Sequence, residues 1–347
     1  MPFTAQELAH ISNSTLDFYI DKRKVFSQTL QDKPLLSKMR SMQKTFPGGK
    51  ENLSVAVKGV YTTDIMGFTH DDEVTYANPA NAKRANYPWK EIHSGISFTG
   101  TELKKDGVSI VDSNTGEKTS NHSGREMTAL VNILEDKLED MVEGTDRGMN
   151  NMYWQSGTQD AKVIPGIRSI ILDDPTSAVT VGGIDQAANT WWRNRASLLL
   201  NAGTPANLVI IKKLQAELRQ LRRYGSPKWG WFAGSDFITA LENEIRSQGT
   251  LTDTGFTQSG KTDAGIADLR FKGNPIMYDP TLDDLGLSKY LYILDCNAIH
   301  PMVMDGEDMK RHYPSRPENK YVYYRAITYT GGLVCRQRNT SGVYSIA

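Results

Sequence analysis

Residues Gly255 to Thr262 read Gly-Phe-Thr-Gln-Ser-Gly-Lys-Thr, a full match to the phosphate-cradling pattern G-x-x-x-x-G-K-[ST]. In such a loop, backbone N–H groups wrap a phosphate, the Lys balances its charge and the final hydroxyl helps to hold Mg²⁺. The chemistry would be that of a P-loop NTPase. It depends on the flanks: a buried strand brings the chain in, and a helix leaving the loop aims its N-terminal N–H groups at the phosphates. The approach from Ser247 to Thr254 holds one apolar residue, Leu251, which does not make a core strand. The exit from Asp263 to Phe271 contains Gly265, is closed by Gly273-Asn274-Pro275, and sets the Asp263 carboxylate beside the phosphates. Leu291 to Asp295 imitates the apolar strand that ends in a Mg²⁺-holding acid, but such runs are common. A chance match is expected in on the order of 1 in 100 chains of this length. The segment therefore reads as a polar loop between packed elements, and an NTPase acting through Gly255–Thr262 is the third functional reading.

Other reactive constellations are sparse. No Gly-x-Ser-x-Gly elbow and no His-Glu-x-x-His occur. Cys296 and His300 stand four apart, and His70 adjoins Asp71, Asp72 and Glu73, but neither group has a second paired cluster. Structural zinc requires four ligands. No catalytic residue, cofactor or metal site is expected, and the chain does not read as an enzyme. Lys212, Lys213, Arg219, Arg222 and Arg223 form a basic helix surface, while Trp191-Trp192-Arg193-Asn194-Arg195 is the densest aromatic–cationic cluster. Two adjacent Trp on a helix point in different directions, which predicts one in the core and one at an interface, where Trp and Arg are enriched. The candidate intersubunit contacts are Asp71, Asp72, Glu73, Lys83, Arg84, Trp191, Trp192, Arg193, Arg222 and Arg223.

The 347 residues carry 40 Lys and Arg against 40 Asp and Glu. This neutrality argues against a protein whose main task is to grip nucleic acid, and it favours pairing of the basic surface with carboxylates of another subunit. It also permits many copies to pack without mutual repulsion. Two cysteines do not make a disulfide framework. No signal-peptide core stands at the N-terminus, and no run approaches the ~18 apolar residues of a membrane span.

These residues must be positioned by elements that the pattern outlines. Residues 1–44 read as a helical arm with Leu35, Leu36 and Met39 on its apolar side, ended by Pro47-Gly48-Gly49. Leu53, Val55 and Val57 alternate as a half-buried strand, with Ile92, Ile96 and Phe98 as its return strand. Thr62 to Asn86 between them is polar and turn-rich. A two-stranded projection of this kind is marginal alone and needs a neighbour. Residues 123–154 predict a helix of about 30 residues with Met127, Val131, Leu134, Leu138, Met141, Thr145, Met149 and Met152 in one stripe, opened by a Ser123/Glu126 capping box. Ile167 to Leu172 reads as a strand, Ile184 to Leu200 as partly helical, and Leu208 to Arg223 and Ser235 to Ile245 as helices. Trp229 to Phe232, Phe271 to Tyr278 and Tyr290 to Asp295 read as strands. Tyr321 to Tyr329 and Leu333 to Arg338 read as two strands about a Gly331-Gly332 hairpin turn.

Several stretches carry a resemblance: Val181-Gly-Gly-Ile-Asp185 leading to Trp191-Trp-Arg-Asn194, Gly234-Ser-Asp-Phe237 before Ala240-Leu-Glu242, Phe271-Lys-Gly-Asn-Pro-Ile-Met-Tyr-Asp279, and Tyr323-Tyr-Arg-Ala-Ile-Thr-Tyr-Thr-Gly331 followed by Leu333-Val-Cys335. With the order of the parts, they resemble the major capsid protein of tailed bacteriophages, whose fold is shared with encapsulin shells. The resemblance implies an α+β tailed-phage capsid fold with an N-terminal arm (1–49), an extended β-loop (50–110), a peripheral lobe with the spine helix (111–160), an α/β axial lobe (161–299), and a closing β segment of the peripheral lobe (300–347). It implies self-assembly into hexamers and pentamers of an icosahedral head around double-stranded DNA, contacted non-specifically. The expected partners are a portal and, where present, a decoration protein, with assembly in the host cytoplasm and a place in the virion. No long helical segment precedes the arm, so a separate scaffolding protein is expected. An encapsulin-like nanocompartment shell is the alternative. The Lys–Asn cross-link of some shells, for which Lys58, Lys83 or Lys90 and Asn339 would be candidates, is not carried over by any motif.

Overall fold

The computed structural model describes residues 3–4, 31–49, 51–61, 65–74, 76, 82–99, 101–102, 110–111, 124–225, 227–247, 269–312 and 322–347; at 3–4, 110–111, 124–136 and 139 it describes the backbone alone. In chain order the elements are β1 (Phe3–Thr4), α1 (Pro34–Ser41), β2 (Lys44–Phe46), β3 (Asn52–Lys58), β4 (Ala82–Pro88), β5 (Lys90–Thr99), β6 (Ile110–Val111), α2 (Gly124–Trp154), α3 (Ile167–Ile170), β7 (Thr180–Val181), β8 (Ile184–Asp185), β9 (Arg195–Leu200), α4 (Val209–Leu221), β10 (Trp229–Ala233), α5 (Ser235–Ser247), β11 (Arg270–Phe271), β12 (Asn274–Tyr278), α6 (Pro280–Asp284), β13 (Tyr290–Asp295), β14 (Ile299–Met304), β15 (Lys310–His312), β16 (Val322–Cys335) and β17 (Gly342–Ile346). Two units are distinguished. One comprises Met1–Gln31, Glu91–Met149 and Asp305–Thr330; the other comprises Asp32–Lys90, Asn150–Met304 and Gly331–Ala347.

The second unit is built on a six-stranded sheet in the order β11-β12-β10-β13-β17-β9. The central strands are apolar on both faces, the mark of a covered sheet. Trp231 pairs with Ile293 on one face and Phe232 with Tyr292 on the other, and all four are buried. The first face is closed by α4 and α5. Ile210, Leu214, Leu218 and Leu221 recur at helical spacing and meet Phe237 and Leu241 over Trp231 and Ile293. The start of α4 has no cap of its own: the N-cap residue, Leu208, in the left-handed region, has no side-chain acceptor. Glu244 of α5 supplies one: its two carboxylate oxygens accept from the Ile210 and Ile211 N–H groups at 3.0 Å each. On the second face Trp154 packs against Phe232 and Tyr292, with ring centres 5.8 and 5.1 Å apart. Helix α1 lies on the same unit, with Leu35, Leu36 and Met39 buried. Asn150 ties α1 in place: its Oδ1 accepts from the Leu36 N–H at 3.0 Å, and its amide donates to Thr281 Oγ1 at 2.7 Å. Trp154 Nε1 donates to Asp279, which also caps α6 through the Thr281 N–H. Burial raises the Asp279 pKa against the pull of these donors.

In the first unit the stripe of α2 is buried at Leu138, Met141 and Met149. Thr145 Oγ1 lies 2.7 Å from Ser94 Oγ, and Lys137 donates to the Ser97 carbonyl and pairs with Glu102 at 3.0 Å, so the helix lies along β5. Strand β5 pairs with β16, where Phe98 stacks on Tyr323 at 5.4 Å. The helix is 31 residues long, about 46 Å at 1.5 Å per residue. The side chains of Met127, Val131 and Leu134, and the Ser123/Glu126 box, lie outside the described residues.

Five expectations are corrected. Pro47-Gly48-Gly49 ends a short strand, β2, rather than the helical arm; α1 stops at Ser41. The return strand of β3 is β4, paired from Asn52↔Pro88 to Lys58↔Ala82, rather than Ile92 to Phe98, which pairs with β16. Ile167–Ile170 is a helical turn, since an apolar run of this length does not distinguish strand from buried turn. Within 184–200 the chain forms β8, a short 3₁₀ turn at Thr190–Trp192 and β9. Finally, Gly331-Gly332 does not turn: β16 runs through it without interruption. A Cβ on Gly332 would fall 2.6 Å from the Pro88 carbonyl oxygen, so glycine is there for a close backbone approach.

Candidate functional site

The turn at Gly182-Gly183, both with positive φ, closes the β7–β8 hairpin and returns the chain into the 3₁₀ turn that carries the two tryptophans. The pair divides as adjacent positions must. Trp192 is buried and donates from Nε1 to the Val181 carbonyl at 3.0 Å. Trp191 is half-buried and packs against Gly59, where an added Cβ would fall 2.1 Å from the indole. Arg193 donates from Nε and Nη2 to the carbonyls of Gln186 and Ala187 at 2.8 Å each. Beneath them Arg338 is fully buried and reaches four acceptors: the carbonyls of Ile170 and Trp192, Gln186 Oε1 and Asn194 Oδ1.

Above this floor opens a cleft of about 1220 Å³, bounded by Val57–Tyr61, Thr190–Ala196, the outer side of α4 and Arg336–Asn339. Seven cationic residues line it (Lys58, Arg193, Arg195, Lys213, Arg223, Arg336 and Arg338) against one carboxylate, Glu217. Glu217 is already matched: Arg195 grips it with two hydrogen bonds at 2.7 and 3.0 Å, and Lys213 sits at 3.2 Å. Burial pushes the Glu217 carboxyl up, but the two cations more than offset it and hold it below the ordinary value. Arg193 and Arg338 are committed to carbonyls. Lys58, Arg223 and Arg336 have no carboxylate partner among the described residues; Lys58 lies over Tyr61 at 4.4 Å and Arg223 over Tyr224 at 5.3 Å. Arg222 turns instead to Trp229, 5.4 Å from its ring.

The acidic candidates lie elsewhere in the same unit, on the loop between β3 and β4. Asp71, Asp72 and Glu73 are exposed. Asp72 accepts from the Thr69 N–H at 2.7 Å and from its hydroxyl at 2.8 Å, which closes a tight turn and lowers the Asp72 pKa. Asp71 and Glu73 form no ion pair among the described residues. The loop is less polar than its composition implies: Ile65, Phe68 and Tyr76 expose 100%, 66% and 92% of their surface. On β4, Arg84 is exposed, and Lys83 donates to Asn189 Oδ1 at 2.7 Å. The structure thus brings Trp191, Trp192, Arg193 and Arg223 to one cleft. Lys58, Gly59, Arg336 and Arg338 complete it; the dense Arg336-Gln-Arg338 run after β16 was the available signal for the last two.

The P-loop match lies outside the described residues. Both its flanks, from 248 to 268, lie outside them too; β13, whose end imitates the Mg²⁺-holding acid, is antiparallel to both β10 and β17. Asp295 at its end accepts from the N–H groups of Lys228 and Asn297 and from the Thr340 hydroxyl. Cys296 and His300 are buried, and no group of three potential metal ligands occurs among the described residues. No described helix is long and apolar enough to cross a membrane.

No family model matches the sequence, and no curated protein matches it. Solved structures do. The capsid asymmetric unit of cyanophage A-1(L) is similar to this chain with a TM-score of 0.65 at 15% identity, covering 93% of this chain and 94% of that one. A structure from Gordonia phage Cozz matches with a TM-score of 0.55 at 12% identity, over 94% of this chain and 90% of that one. The capsid of a native GTA particle matches with a TM-score of 0.52 at 12% identity, over 93% of each chain. At these identities the likeness speaks for the architecture, and it runs nearly end to end: the chain has the α+β fold of tailed-phage capsid proteins.

Proposed function

We propose that the chain is a structural shell subunit that self-assembles into hexamers and pentamers of an icosahedral tailed-phage head enclosing double-stranded DNA. The observation that carries this reading is the likeness to capsid structures over more than nine-tenths of the chain, at nearly equal lengths. The exposed Ile65, Phe68 and Tyr76 support it, because large apolar side chains left in solvent on one loop fit a surface that a neighbour covers. In this reading residues 1–49 are the arm, 50–110 the extended loop, 111–160 and 300–347 the peripheral lobe, and 161–299 the axial lobe. The role is architectural rather than enzymatic. A separate scaffolding protein, a portal and, where present, a decoration protein are its partners, with assembly in the host cytoplasm and a final place in the virion.

Negative-stain microscopy and light scattering of the purified chain test the proposal, with a co-expressed scaffolding protein where needed. Rings, tubes or closed shells are expected. Limited proteolysis should cut within 64–85 in free subunits and not after assembly, because a neighbour then covers the loop. A monomer that persists at high concentration under both conditions overturns the reading.

A further inference from the structure

We propose that the cationic cleft binds single-stranded nucleic acid, gripping its phosphates with Lys58, Arg223 and Arg336 and stacking its bases on Tyr61, Trp191 and Tyr224. The site needs one copy of the chain only. It stands apart from the shell-subunit reading, in which the enclosed molecule is double-stranded DNA.

Charge comes first. Neutrality over the whole chain conceals a local segregation, because seven cationic residues line the cleft against one carboxylate. The hydrogen bonds from Arg193 and Arg338 to carbonyls satisfy donors but cancel no charge. Glu217 is shared by Arg195 and Lys213 and offsets only one of them. A walled recess focuses the field of the remaining cations. Lys58, Arg223 and Arg336 are exposed there without a carboxylate partner among the described residues, so an anion is what the cleft lacks.

The rings decide which anion. Tyr61 exposes 81% of its surface and Tyr224 48%, and Trp191 is half-buried. Lys58 Nζ lies 4.4 Å from the Tyr61 ring centre, and the Arg223 guanidinium lies 5.3 Å from that of Tyr224. A cation for a phosphate and a ring for the adjoining base thus come side by side, the make-up of a single-strand site. A bare phosphate or an acidic peptide would meet the cations but give the rings no base to stack on. A duplex keeps its bases inside, whereas a single strand can turn them outward onto aromatic rings.

Size and rigidity agree. The cleft, at about 1220 Å³, is larger than the ~300–1,000 Å³ of a small-molecule pocket and leaves room for an oligonucleotide. Trp191 packs against Gly59 and meets Trp192 at 5.7 Å, and Trp192 is itself held by the Val181 carbonyl. That ring is already ordered, so less entropy is lost when a base lands on it.

Fluorescence anisotropy of the full, unassembled chain with labelled oligothymidylate tests this, beside a duplex of equal length and with polyglutamate as competitor. The single strand should bind more tightly than the duplex, and more weakly as salt rises. Lys58→Gln with Arg223→Gln and Arg336→Gln should lower affinity at least about tenfold. It should also flatten the slope of log K against log salt by about 2, at ~0.7 per single-strand phosphate contact. Tyr61→Ala with Tyr224→Ala should lower affinity about tenfold or more and leave the salt slope unchanged. All five side chains are exposed, so the thermal melts should match wild type. One readout needs no variant: irradiating the wild-type complex with an iodouracil-bearing oligonucleotide should cross-link Tyr61, Trp191 or Tyr224, located by mass spectrometry. Equal affinity for duplex and single strand, with no loss in the tyrosine variant, would reduce the cleft to a plain phosphate surface and overturn the inference. Polyglutamate that displaces the strand as well as unlabelled oligothymidylate does would assign the cleft to an acidic protein segment instead. Cross-links confined to residues outside the cleft, or no binding at low salt, would also overturn it.

Discussion

The guanidinium of Arg338 lies 5.8 Å from the ring centre of Trp192 and donates from Nη1 to that residue's own carbonyl oxygen at 2.8 Å. All four of its described acceptors are neutral. Burial presses the Arg338 pKa down to about 10, which still leaves it charged at neutral pH. Its planar fork joins α3, the tryptophan turn and the start of β9, a task that a point charge cannot perform. Arg338→Met should strand several buried acceptors at about 1–3 kcal/mol each. Urea unfolding should show a loss of several kcal/mol or no stable fold, with Arg338→Lys only partly restoring stability. An Arg338→Met chain within about 0.5 kcal/mol of wild type would contradict this role.

His300 predicts a pH dependence. It is buried, and neither ring nitrogen makes a hydrogen bond of good geometry among the described residues. Burial, then the charges of Lys44 and Arg336, lowers its pKa to about 4. The unfolded chain takes up a proton near pH 6.5 and the folded chain does not. The neutral form's advantage is therefore whole above pH 6.5 and is lost as pH falls toward 4, at up to about 1.4 kcal/mol per pH unit. Denaturation at pH 7 and pH 4.5 should show this loss in wild type and a smaller one in His300→Leu. Equal pH slopes would refute it.

Gly59 predicts a local displacement. Gly59→Ala puts a methyl group into the Trp191 indole and must swing the ring or the loop root away. Trp191 fluorescence should shift, in a background with the other tryptophans replaced where tolerated, while the melting temperature changes by only a few degrees. An unshifted spectrum would mean that the indole does not rest on the loop root.

The helix stripe predicts a core cost. Leu138→Ala should destabilise by ~2–5 kcal/mol, and Leu138→Asp should give insoluble or unassembled protein, because the residue is 1% exposed beside β5. Normal shell yield from Leu138→Asp would place the stripe in solvent.

Lys261→Ala should leave fold and assembly unchanged and alter no nucleotide affinity. Micromolar ATP binding abolished by this change would restore the NTPase reading.

Periodicity made the long helix, α4 and the core strands legible. Leu214, Leu218 and Leu221 recur on one side because they face one sheet, and Tyr290 to Asp295 is apolar because both its faces are covered. Strand β4 was not legible: Ala-Lys-Arg-Ala-Asn-Tyr-Pro buries only Ala85 and Tyr87 and has the composition of a loop. Gly331-Gly332 misled because a turn glycine and a close-packing glycine look alike until the opposing backbone is known. The two tryptophans were legible as a divided pair. Arg338 was not, because its partners lie 144 to 168 residues away, beyond any local pattern.

Strand β17 lies between β13 and β9 and joins residues near 345 to residues near 199 in the sequence. The sheet thus has a keystone that leaves the ribosome long after the strands on either side. Until residues 331–346 have been made, β9 and β13 each present an open edge, and the long loop between partners slows closure. Synthesis itself thereby acts as a timer on the fold: the sheet closes only after its last strand, β17, has been made.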